Sequence, residues 1–172
     1  GHGTVVGDLR MLRGLESPQL QRALDVLALL PASYAEEPER RYPVLYAFDA
    51  QNLFDEATSN AGEWQLDEVL AELAVEGIEW IVVGIPHGGE RRSDEYGPWR
   101  TSFGAGGLGD ATLAFVAETV KPLVDASLRT LGAREHTALL GSSLGGLMAL
   151  YGLFARPETF GRAGVLSPAA SA

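Results

Sequence analysis

Gly141-Ser142-Ser143-Leu144-Gly145 sets a serine midway between two glycines, in the pattern G-x-S-x-G. A serine hydroxyl becomes a useful nucleophile when a base takes its proton and nearby donors stabilise the oxyanion that its attack creates. The flanks say how this segment is held. Thr137-Ala138-Leu139-Leu140 reads as a short buried strand, and the residues from Leu144 to Ala155 as a helix. At a sharp strand-to-helix turn, side chains two residues before or after the serine would collide with strand or helix, and glycine removes them. Ser143 stands at the centre of that spacing, and Ser142 does not. The N–H of Leu144 opens the helix, where main-chain donors lack intrahelical partners and the dipole favours negative charge. Those are the conditions of an oxyanion site.

The rest of the chain supplies alternating strands and helices to carry this turn. Thr4 to Arg13 alternates loosely and predicts an edge strand, which Ser17-Pro18 breaks. Ala23 to Leu30 is a short apolar run stopped by Pro31, so strand is favoured, and the two form an antiparallel opening hairpin. A polar connection runs from Pro31 to Arg41. Tyr42 to Phe48 is a continuous apolar run, as a strand buried on both faces requires, and Glu79 to Ile85 is the next buried strand. Between them, Glu63 to Glu76 carries Leu66, Val69, Leu70 and Leu73 on one helical face, and Gly77 ends it. Pro86 to Gly109 is a long loop rich in glycine and charge. Asp110 is placed as an N-cap. The helix after it, with Leu113, Val116, Val120, Leu123, Val124 and Leu128 in a stripe, should be kinked or divided at Pro122. Arg162 to Leu166 is the sixth strand. Such alternation implies a single domain over 1–172, an α/β protein with a mostly parallel sheet and helices on both faces.

Three stretches besides the serine turn then make a resemblance. They are Tyr42-Pro43-Val44-Leu45-Tyr46-Ala47-Phe48-Asp49-Ala50-Gln51-Asn52, Val82-Val83-Gly84-Ile85-Pro86-His87-Gly88-Gly89 with Arg91, Arg92, Asp94 and Tyr96, and the terminal Val165-Leu166-Ser167-Pro168. Together the chain resembles the esterase D-like (enterochelin esterase-like) family of α/β-hydrolases. Enterochelin-type siderophore esterases, feruloyl esterases, S-formylglutathione hydrolases and mycolyltransferases belong to it. The resemblance implies the α/β-hydrolase fold and carboxylic-ester hydrolysis through an acyl-enzyme on Ser143. It implies oxyanion donors from the Leu144 N–H and from the loop after the third strand, where Ala50 or Gln51 stands. The family usually has glycine where this chain has Ala50. His87, Tyr96 and Trp99 in the 86–100 stretch are candidates for the substrate pocket wall.

An absence qualifies this expectation. In that fold the triad runs serine, then acid, then histidine along the chain. After Ser143 there is one acid, Glu158, and no histidine. His136 stands a strand length from Ser143, at the wrong end, and Glu158 follows the helix as a surface residue. The sheet of that fold typically has eight strands, and six are counted here. The expectation is therefore that the triad acid and histidine, and the C-terminal strands, lie beyond residue 172. The edge of the 162–168 segment should then be covered by the remainder of the polypeptide, by a second copy or by a partner chain. The alternatives are an acyltransferase, or a non-catalytic ligand- or carbohydrate-binding protein of the same fold.

Composition adds boundaries. The chain has 172 residues, a net charge of −10 and no cysteine. Acidity argues against nucleic acid and anionic membrane surfaces, and the lack of cysteine removes disulfides and thiolate metal sites. No cluster has metal-ligand spacing, and no cofactor motif is present; the expected partner is a small-molecule ester. Gly1-His2-Gly3 is not the start of a leader, which points to the cytoplasm, although a mature secreted chain would look the same.

Overall fold

A computed structural model describes residues 9–31, 33–48, 79–85, 109–142 and 144–166. Six strands form one sheet: β1 (Leu9–Ser17), β2 (Arg22–Leu29), β3 (Val44–Phe48), β4 (Ile81–Ile85), β5 (Thr137–Ser142) and β6 (Arg162–Leu166). Their order is β1-β2-β4-β3-β5-β6. β4, β3, β5 and β6 run parallel to one another, and the β1–β2 hairpin joins antiparallel through β2 to β4.

The parallel strands alternate in a way that fills both faces. From β3, Val44, Tyr46 and Phe48 enter one cluster, and Leu45 and Ala47 the other. Ile81, Val83 and Ile85 of β4 share the first cluster, and Val82 the second. Every residue of β3 and β4 is buried, which is why these stretches are apolar throughout instead of alternating with polar residues.

Two helices cover the first face. Helix α2 spans 109–127 and α3 is Leu144–Ala155; a one-turn helix, α1 (Ser33–Glu36), lies within the 31–41 connection. Leu113, Phe115, Val116, Val120 and Val124 of α2 pack in the same cluster as Met148 and Ala149 of α3. The second helical layer expected over 63–76 lies outside the described residues.

The kink or division expected at Pro122 does not end the helical path, which continues through Pro122 with a change of winding just before it. The helix is α over Gly109–Ala114, π over Phe115–Val120, and α again over Lys121–Ser127. The Lys121 N–H reaches back to the Val116 carbonyl, a five-residue step. Proline has no N–H to give and its ring crowds the carbonyl four residues earlier; one widened turn just before it makes room without ending the helix.

Three further readings are compared with the structure. The first strand is described over Leu9–Ser17, so it runs past Arg13 to the Ser17-Pro18 break, and Thr4 to Asp8 lie outside the described residues. Its alternation is interrupted by a register shift between Leu12 and Leu15, where Gly14 takes φ +63° and donates its N–H to Asp25 Oδ1 at 2.8 Å. Asp110 is not the N-cap, because α2 already begins at Gly109. The 31–41 connection is more than polar: Ser33 is buried and bonds the Tyr42 hydroxyl at 2.7 Å.

At the amino ends of the parallel strands one side chain draws the connections together. The Arg129 guanidinium lies 3.8 Å from the Tyr34 ring centroid. It donates to the carbonyls of Glu37 and Arg40, each at 2.8 Å, and to that of Tyr34. Planar stacking with several fixed donors is what guanidinium supplies and ammonium does not.

Candidate active site

β5 ends at Ser142 and α3 begins at Leu144, so a single residue, 143, joins strand to helix. Ser142 still belongs to the ladder, paired with Leu166 of β6. Ser143 itself lies outside the described residues. Leu144 is the first residue of α3, so its N–H is one of the donors without an intrahelical partner.

Four parallel strands end together at this edge of the sheet. β5 lies between β3 and β6, with Ala47 beside Leu140 and Ser142 beside Leu166. Phe48 in turn pairs with Ile85 at the end of β4. In an open parallel sheet this carboxyl edge is where ligands bind. Ala50 and Gln51 follow β3 along the chain, and His87, Tyr96 and Trp99 follow β4; all five lie outside the described residues.

The two described residues weighed as acid or base stand elsewhere. His136 closes a short 3₁₀ turn, Arg134–His136, at the amino end of β5, and is exposed. The six residues of β5 separate it from position 143, roughly 20 Å at about 3.3 Å per residue. Glu158 is exposed in the turn after α3. Neither stands at the carboxyl edge of the sheet: His136 precedes β5 and Glu158 precedes β6. Among the described residues no three His, Asp or Glu side chains gather as metal ligands, and no helix is long and apolar enough to cross a membrane.

What holds α3 in place was not read from the sequence. Gly152 is buried in the middle of the helix. A Cβ there would lie 2.4 Å from Leu139 Cδ1 on β5 and 2.9 Å from Leu113 Cδ2 on α2. The helix thus approaches both elements closely enough to exclude a methyl group. The signal was available, since glycine inside a helix costs about 1 kcal/mol and calls for a packing reason. One turn away in space, the Tyr151 hydroxyl bonds Asp110 Oδ1 at 2.7 Å, tying α3 to the first turn of α2. That hydrogen bond, with burial and the Asp110 charge behind it, holds the Tyr151 phenol above its ordinary pKa.

Residues 17–172 match the family described as "Putative esterase". The chain belongs to that esterase family. Its fold is the α/β-hydrolase fold. It is 25% identical to an IroE-like serine hydrolase from Shewanella oneidensis, with a TM-score of 0.70 over 91% of this chain and 49% of that one. It also superposes on the siderophore hydrolase EstA from Aspergillus nidulans, with a TM-score of 0.67 at 21% identity, over 95% of this chain and 58% of that one. Over 125 residues it is 36% identical to the siderophore triacetylfusarinine C esterase of Aspergillus fumigatus, covering 69% of this chain and 41% of the relative. The chain spans about half the length of the curated relatives it matches.

Proposed function

We propose that this chain carries the nucleophile of a serine carboxylic-ester hydrolase. The observation that supports it is the one-residue link at 143, between a buried central strand and a helix whose first N–H is free. Ser143 Oγ attacks the ester carbonyl carbon as a histidine takes its proton. The Leu144 N–H, with that of Ala50 or Gln51, receives the charge that develops on the carbonyl oxygen. Collapse of the tetrahedral intermediate expels the alcohol, protonated by the same histidine, and leaves an acyl-serine that water cleaves. The acid and histidine come from sequence beyond residue 172. His136 and Glu158 stand on the wrong edge or at the surface, and the remaining histidines are His2 and His87.

The relatives' names direct the choice of substrates: esters of siderophores, and feruloyl esters. The test uses the protein expressed from its complete coding sequence. Such a set of esters, with a short-chain aryl ester as reference, is assayed against Ser143→Ala and Ser142→Ala. Ser143→Ala should lower turnover by up to about 10⁶-fold, as loss of the nucleophile does in serine hydrolases, while Ser142→Ala stays within about tenfold. Near-normal turnover by Ser143→Ala would sink the reading.

A further inference from the structure

α3 begins at the carboxyl edge of the sheet with the N–H of Leu144, yet its side chains offer little that is directional. Tyr151 is the only residue from Leu144 to Ala155 with a nitrogen or oxygen in its side chain. Met148 and Ala149 pack in the core cluster, and apolar contact rewards area removed from water without fixing a helix along its own axis. The Tyr151 hydroxyl meets Asp110 Oδ1 at 2.7 Å. The place of that partner follows from the course of α2. Its last residue, Ser127, leads within a few residues to Thr130, which bridges to Tyr42 at the amino ends of the strands. A helix over 109–127 is about 28 Å long, so its first turn, with Asp110, stands toward the opposite, carboxyl edge. The two helices run in the same direction, and a second tie, Arg156 to Glu118 at 3.1 Å, joins them further from that edge.

We propose that Tyr151 is a positioning residue: its bond to Asp110 fixes α3 along its axis and so sets where the Leu144 N–H meets the developing oxyanion. The inference rests on the ester-hydrolase reading above. Tyr151 follows Leu144 by roughly 10 Å of helix, at about 1.5 Å per residue, so it acts through the helix and not on the substrate. Its long side chain leans toward the start of the helix, as such side chains do, and the bond therefore restrains the end that carries the donor. Removing an oxyanion donor costs about 10²–10³-fold in turnover, and displacing one by a fraction of an ångström should cost less, about tenfold.

The test uses the protein from its complete coding sequence, with the short-chain aryl ester as substrate. A trifluoromethyl ketone, which adds to a nucleophilic serine as a tetrahedral oxyanion, serves as transition-state mimic. Y151F and D110A should each lower kcat and weaken the ketone about tenfold with KM unchanged, and the double variant should be no worse than either. D110N keeps an acceptor for the phenol and should stay within about threefold of the parent. R156A breaks the tie at the far end of the same two helices and should stay within about twofold. Should Y151F or D110A not fold, the other single variant is compared with D110N and R156A. Unchanged kcat, a rise in KM in place of the fall in kcat, additive losses in the double variant, or an equal loss in R156A would overturn the proposal. A parent that turns over no ester, or keeps turnover in Ser143→Ala, overturns the ester-hydrolase reading and this one with it. A parent silenced by Ser143→Ala, with kcat intact in Y151F, overturns this one alone.

Discussion

Gly152→Ala separates what helix propensity says from what packing says. By propensity alone, alanine inside a helix is favoured over glycine by about 1 kcal/mol. The structure opposes this: the new methyl would lie 2.4 Å from Leu139 Cδ1 and 2.9 Å from Leu113 Cδ2, and both leucines are fully buried. Apolar carbons settle at about 3.5–4.0 Å, so roughly 1 Å of displacement is demanded between α3 and its neighbours. Overpacking of that kind costs about 1–3 kcal/mol. The net is a destabilisation of about 1 kcal/mol, with an upper bound of about 2, and a melting temperature lower by about 2–4 °C per kcal/mol. Urea unfolding followed by circular dichroism measures it. Leu139→Val removes the offending Cδ1, so the double variant should recover at least about 1 kcal/mol relative to the sum of the singles. If Gly152→Ala raises the midpoint, or the cycle is additive within about 0.3 kcal/mol, the argument for close approach fails. Because Leu139 lies on the strand that leads to position 143, a lifted helix should also slow ester turnover, by up to about 100-fold per ångström.

Arg129→Lys should destabilise nearly as much as Arg129→Ala, by about 2 kcal/mol in denaturant unfolding, because ammonium can neither stack on Tyr34 nor serve three carbonyls at once. Rescue by lysine would show that charge alone matters there. Tyr46 offers a test in pH: its hydroxyl is buried without a partner among the described residues, and burial, then the Asp125 charge, push its pKa well above the ordinary range. The unfolded chain ionises this phenol near pH 10 while the folded one holds its proton, so stability should fall above pH 10. Tyr46→Phe should lessen that slope by up to about 1.4 kcal/mol per pH unit and leave stability at pH 7 unchanged or higher; a loss of more than about 1 kcal/mol at neutral pH would reveal a partner for the hydroxyl. Gly161→Ala should cost at least about 2 kcal/mol, since its Cβ would sit 2.5 Å from the rigid carbonyl oxygen of Arg134; a midpoint within error of the parent refutes that contact.

Parallel strands buried on both faces were legible because burial forces a continuous apolar run: Tyr42 to Phe48 and Ile81 to Ile85 admit no polar residue. The strand to Ser142 and the helix from Leu144 were legible for a different reason, a strand pattern and a helix pattern on either side of spaced glycines. Less could be read where two local signals compete. Proline inside a helical stripe announces trouble at 122, but not that a π turn absorbs it. Asp110 has the right residue type for a cap, yet its carboxylate is engaged by Tyr151, a partner 41 residues away that no local pattern reveals. Arg129 was missed altogether, since its stacking ring and its carbonyl partners come from distant sequence. The oxyanion and pocket assignments at Ala50, Gln51, His87, Tyr96 and Trp99 rest on the resemblance, beyond the described residues.

The strand order carries a consequence for how the chain is made. β3 lies between β4 and β5, and both follow it in sequence. Its second neighbour emerges roughly ninety residues later, which at about 5–20 residues per second is roughly 5–20 s of synthesis. Through that interval a strand buried along its whole length has an unpaired edge. The guanidinium that fastens its upstream connection is also absent, for Arg129 reaches back 89 and 92 residues to its carbonyls. Nascent chains halted between β4 and β5 should therefore be captured by holdase chaperones, and released once the ribosome has passed β5.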